Sequence, residues 1–122
     1  MIKNRLKLES YPDGVVKIYG LDEPTNTGNM PKDTYSLRET LRYRSRTVGN
    51  QRYFSALLAG VKVSRVLRCP FRGSVTGEDI AITEDGRKFY VRLAQLVQGS
   101  NPLSMDLSLE EVLQEHEFTG IP

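Results

Sequence analysis

Residues 35–47 read Tyr-Ser-Leu-Arg-Glu-Thr-Leu-Arg-Tyr-Arg-Ser-Arg-Thr, and the alternation within them decides the fold. Leu37, Leu41 and Tyr43 fall on one parity, and Arg38, Arg42, Arg44 and Arg46 on the other. A period of two is that of an extended strand. One face would bury leucine and tyrosine while the other carries guanidinium groups at a spacing of about 7 Å.

Downstream, Val48-Gly49 ends this strand and Asn50 can cap a helix. Tyr53, Phe54, Leu57 and Leu58 recur at helical spacing before Gly60, which predicts a short inserted helix. Val61, Val63, Leu67 and Cys69 share one face of the next extended run, which Pro70 stops. Arg65 intrudes on that apolar face and marks a bulge or an interface position. Ile80 and Ile82, the Asp85-Gly86 turn, and Phe89, Val91, Leu93 and Val97 make the strongest hairpin signal in the chain. Leu103, Met105 and Leu107 alternate with Ser104 and Asp106 as a last strand. Ser108-Leu109-Glu110-Glu111 reads as a capping box followed by Val112, Leu113 and His116 on one face, which predicts a short acidic C-terminal helix.

Upstream, residues 4–9 alternate loosely, Pro12-Asp13-Gly14 is a turn, and Val15, Val16, Ile18 and Tyr19 follow, which predicts a β-hairpin. Leu21 to Thr34 collects two prolines, Gly28 and two asparagines without an apolar period, the composition of a long exposed loop. The chain is therefore read as one mainly β domain, 1–122: a small antiparallel β-barrel, or a sandwich, with one short inserted helix and a short C-terminal helix. Its appendages are the 21–34 loop, the 48–60 helix or loop insertion, and an acidic tail or helix at 109–122.

At 122 residues the chain is long enough for one core without disulfides or metal. Cys69 is the only cysteine, which excludes a disulfide-stapled secreted domain. His116 is the only histidine, and there is no CxxC, HExxH or Walker loop, so no metal and no cofactor is expected. The longest uncharged stretch, Leu93 to Met105, is too short and too polar for a membrane helix, and the charged N-terminal residues do not read as a signal peptide. Glu78-Asp79 and Glu84-Asp85 are the nearest acid–base pairs, but they flank strand ends and have no nucleophile beside them. No catalytic residue is expected. Cys69 follows Arg68, yet its apolar parity makes it a buried small residue.

The net charge of +2 conceals a partition. Residues 40–77 carry eight basic groups and no acid, and residues 104–122 carry five acids and no Lys or Arg. Blocks of like charge mark interaction surfaces, or else plain solvated faces. Arg42, Arg44 and Arg46 suit phosphates, and they equally suit carboxylates of a neighbouring subunit, because the planar guanidinium fork pairs with either. Tyr43 lies on the opposite strand face, so the aromatic platform of a single-strand binder is poorly formed.

The order of these pieces resembles the bacteriophage head-tail joining, or head-closure, proteins of long-tailed phages. The residues that carry the resemblance are Leu41 to Thr47, Val48-Gly49-Asn50, Gln51 to Leu57, Val61 to Cys69, Thr76 to Ile80, and Asp85 to Val91, within about residues 35–110. What it implies is a non-enzymatic virion component with a small β-barrel. Such a stopper would be monomeric in solution and dodecameric as a ring in the virion neck, after assembly in the host cytoplasm. It would sit below the portal or adaptor protein, retain packaged double-stranded DNA, and offer a docking surface to a tail-completion or tail-tube protein. By the same resemblance, 48–60 is a candidate plug, with Asn50, Arg52, Tyr53 and Phe54 in it; the 21–34 loop, which lies outside the matched residues as the acidic tail does, is a second plug or docking candidate. Arg42, Arg44, Arg46, Arg52, Arg65 and Arg68 are then expected at the DNA channel or a subunit interface, and Glu110, Glu111 and Glu115 at an acidic interface. The runner-up readings are a tail-completion or other connector ring protein and, from a different class, a small nucleic-acid-binding barrel.

Overall fold

The computed structural model describes residues 7–22, 34–47, 63–113 and 118–122. Its strands are β1 (Lys7–Leu8), β2 (Gly14–Leu21), β3 (Tyr35–Arg46), β4 (Arg65–Pro70), β5 (Ile80–Thr83), β6 (Lys88–Val97), β7 (Ser100–Asn101) and β8 (Ser104–Glu111). Six of them close a barrel in the order β2-β3-β4-β8-β6-β5, with every neighbouring pair antiparallel. The fold is thus mainly β, and among the described residues there is no helix.

Closure removes the exposed strand edges that an open sheet would present. It also creates a lumen, which side chains fill. Val16, Ile18, Leu41, Tyr43, Leu67 and Leu107, from four neighbouring strands, are among the buried residues of one cluster. The barrel is a packed core and not a pore, as expected for so few strands.

The alternation in β3 holds where it matters, with Leu41 and Tyr43 buried and Arg42 and Arg46 exposed. Leu37 departs from it. The ladder to β2 slips between Ile18 and Tyr19, so that Ile18 faces Glu39, Tyr19 faces Leu37, and Arg38 is the extra residue. One unpaired residue inverts the parity of everything beyond it, which leaves Leu37 exposed. The same happens in β6, where Val91 faces Leu109, Leu93 faces Ser108, and Arg92 is skipped. Leu93 is thereby turned outward.

The Asp85-Gly86 hairpin forms as the sequence predicts. Gly86 takes a φ of 83°, a conformation that only glycine adopts without strain, and its N–H donates to the Thr83 carbonyl at 2.9 Å.

Three expectations are corrected. Of the stretch expected to pair with 15–19, the described residues 7–9 do not do so. Instead β1 lies parallel to β7, while β2 pairs with β3 and β5. Leu21 belongs to β2, and the β2–β3 ladder extends through Asp22 N–H to the Thr34 carbonyl, so the 21–34 loop is shorter than its composition suggests. Ser108 to Glu111 do not cap a helix. They continue β8 between β4 and β6, with Leu109 facing Arg65 on one side and Val91 on the other. Met105, Leu107 and Leu109 keep a period of two, and two flanking ladders outweigh a local capping pattern. The helix expected at 48–60, and His116, lie outside the described residues.

Candidate interaction surface

Across the outer wall, Arg44, Arg68, Asp106 and Gln95 face one another in register over β3, β4, β8 and β6. Arg68 donates from Nε to Asp106 Oδ1 at 2.7 Å and from Nη2 to Oδ2 at 2.9 Å, a bidentate pair. Its Nη1 donates to Glu9 Oε1 at 2.7 Å, and Arg44 Nη2 donates to Glu9 Oε2 at 2.6 Å. The β1–β7 pairing, the bond from Glu9 N–H to the Asn101 carbonyl, and the Tyr11–Ser104 hydroxyl contact at 2.6 Å carry Glu9 over this wall. Burial alone would push the Glu9 carboxyl up, but hydrogen bonds and charge from Arg68 and Arg44 outweigh it and hold the group below its ordinary value. Arg68 is shifted up, chiefly by its bond to Asp106. Arg68 and Arg44, expected at a channel or subunit interface, are therefore engaged inside the chain.

Arg65 also has partners within the chain, and the bulge expected at it does not form, because the β4 ladders are regular on both sides. Its guanidinium lies 5.1 Å from the Tyr43 ring centroid, and Nη2 donates to the Tyr43 hydroxyl at 3.1 Å and to Ser45 Oγ at 3.2 Å. Tyr43 in turn donates to Glu84 Oε1 at 2.8 Å. A charged group on an apolar parity is tolerated here because it caps the ring of the tyrosine that fills the lumen.

The acidic candidates are also occupied. Glu110 accepts from Arg92 at 2.8 Å and Glu111 from Arg87 at 2.6 Å, so both pair within the chain. Glu115, Asn50, Arg52, Tyr53 and Phe54 lie outside the described residues. Of the arginines expected at an interface, Arg42 and Arg46 are exposed and without an ion pair among the described residues.

The carboxylate pairs shape turns. Asp79 is buried and accepts from Thr76 N–H at 2.9 Å, and burial raises its carboxyl above the usual range. Asp85 accepts from the Thr83 hydroxyl and from Arg87 N–H in the hairpin. Burial pushes the Cys69 thiol up to about 12, which keeps it protonated and inert. Among the described residues no group of three or more His, Cys, Asp or Glu could hold a metal, and no helix is long and apolar enough to cross a membrane.

These shifts set a pH dependence. Glu9, Glu84 and Glu111 are all held below their ordinary values: Glu9 by the arginines, Glu84 chiefly by a backbone bond and Tyr43, and Glu111 by Arg87. A lowered carboxyl contributes stability above its unfolded pKa and loses it as pH falls through the folded one. Asp79 has the opposite sign and offsets part of the loss at low pH. The urea midpoint should therefore fall between about pH 7 and about pH 3, and Glu9→Gln should flatten the curve. A midpoint that stays level or rises on acidification would contradict these assignments.

Two features were not anticipated from the sequence: Glu9 as the partner of Arg68, and Phe118 as a buried anchor of the C-terminal segment. Glu9 carries no local signal, since its partner lies 59 residues away. Phe118 is a lone aromatic in an acidic tail, and that contrast was the available clue.

The site and fold define a small closed barrel whose outer wall is tied by internal ion pairs, with Arg42 and Arg46 of β3 exposed and without an ion pair among the described residues. No protein-family model and no curated protein matches the chain. Among solved structures it is similar to the solution structure of protein SF1141 from Shigella flexneri 2a, with a TM-score of 0.56 and 15% identity, covering 94% of this chain and 100% of that one. At that identity the likeness concerns the fold alone.

Proposed function

We propose that this chain is a structural protein of a phage neck: a head-closure ring subunit that binds below the portal or adaptor, retains packaged DNA and presents the docking surface for the tail. The observation that carries the reading is the pair Arg42 and Arg46, without an ion pair among the described residues, on the exposed face of the strand that leads in sequence to the candidate plug at 48–60. A filled lumen means that any DNA channel would run between subunits, past an outer wall. Two cations on that wall, left over after Glu9 and Asp106 neutralise their neighbours, suit phosphates or the carboxylates of an adjacent copy. The order of motifs along residues 35–110 supports the same reading.

Charge reversal at Arg42 and Arg46 alone, leaving Arg44 and Arg68 to their internal partners, should give a folded monomer that fails to join DNA-filled heads. Normal production of tailed virions by that double variant would sink the proposal. A purified monomer that bound DNA by itself, with affinity falling steeply as salt rises, would favour the nucleic-acid-binding barrel instead.

A further inference from the structure

The barrel carries a second apolar cluster, outside the lumen. Tyr19, Ile80 and Tyr90 stand opposite one another across β2, β5 and β6, and they pack against Phe118 from the C-terminal segment. The Phe118 ring meets Tyr35 edge-on at 5.5 Å and Tyr90 at 6.1 Å. The Tyr35 N–H donates to the Thr119 carbonyl at 2.8 Å. Gly120 has a φ of 93° and lies so close that a Cβ there would run into the Tyr35 carbonyl oxygen. From Pro122 a groove of about 480 Å³ continues along Val15, Lys17, Ile82 and Gly86.

We infer that this outer stripe is a docking site for the C-terminal segment, residues 118–122, of a second copy of this chain. The segment already seated there defines the chemistry that fits: an aromatic anchor between two tyrosines, one backbone bond, and a glycine where no side chain has room. Every one of these contacts is available without change on another copy's barrel. Exchanging an identical element between protomers keeps the contacts of that element, which makes it a low-cost route to association. The segment's tie to its own barrel is residues 114–117, which allow roughly 17 Å between Leu113 and Phe118 at full extension. The end of β8 in the donor must therefore abut the β2–β5–β6 wall of the acceptor. Donor and acceptor are different surfaces, so the exchange either closes reciprocally as a two-fold dimer or repeats around a ring or along a filament. The inference goes beyond the neck reading, because a chain with any other role could pair in this way, and its test uses no phage.

Two full-length variants separate donor from acceptor. Phe118→Ala removes the anchor and leaves a vacant stripe, whereas Tyr90→Lys blocks the stripe and leaves a free tail. Each alone should be monomeric by light scattering, and their mixture should form a 1:1 heterodimer at the same concentration. A labelled peptide of residues 112–122 should bind the Phe118→Ala chain, and the same peptide carrying Phe118→Ala should bind at least about tenfold more weakly. Tyr19→Lys serves as a second blocked chain should Tyr90→Lys fail to fold. A mixture that stays monomeric at the highest soluble concentration would overturn the inference, whether or not the peptide binds, since binding without heterodimers means that the tail closes only on its own barrel.

Discussion

Arg68→Ala is expected to remove about 3–5 kcal/mol of folding free energy, seen as a large drop in the urea midpoint at unchanged slope. The guanidinium is 8% exposed and is shared by Asp106 at 11% and Glu9 at 4%. Deleting it leaves two carboxylates out of water with one cation, Arg44, to serve one of them. The loss is thus mainly the cost of stranded charge and not the worth of the pair. A small domain has about 5–15 kcal/mol in total, so this variant should stand at the margin of folding. Replacing the pair by apolar groups of similar volume, Arg68→Met with Asp106→Leu, should restore most of the loss, because it removes the stranded charge along with its partner. A single variant that costs under about 1 kcal/mol would mean that water reaches the pair and that it behaves as a surface ion pair.

That network also marks where sequence reading stops. The inside–outside pattern of Leu41, Tyr43 and the three arginines was legible because period-two alternation is local. The Asp85-Gly86 hairpin was legible because its turn chemistry lies between its two strands. Arg68 looked like the continuation of a basic block, and nothing near it in the chain reveals that Glu9 and Asp106 converge on it. Charge blocks along a sequence are therefore poor guides to charge on a surface: β8 lies beside both β4 and β6, so the acidic stretch neutralises basic groups of its own chain. The capping pattern at Ser108–Glu111 failed for a related reason. A capping box is worth about 1 kcal/mol of local preference, whereas β8 is paired along both edges and buries Leu107 and Leu109 between its neighbours.

Leu107→Ala should cost about 2–5 kcal/mol, whereas Leu93→Ala should stay within about 0.5 kcal/mol of the parent chain. On sequence grounds the two leucines rank alike, since Leu93 shares its parity with Phe89 and Val91 and Leu107 shares its own with Met105. The bulge at Arg92 separates them. Leu107 faces Leu67 on β4 and Ala94 on β6 and is 0% exposed, so truncation opens a cavity inside the lumen that a closed barrel cannot collapse to fill. Leu93 has been turned to the outer wall opposite Ser108 and is 45% exposed, so its methyl groups already meet water. Ala94, next in the chain, takes the inward place that Leu93 would hold without the bulge, and its small size leaves room for Leu107 beside it. Urea unfolding of the two variants checks the contrast directly. Equal losses would put Leu93 in the lumen and rule out the bulge, together with the inward placement of Ala94 beside Leu107.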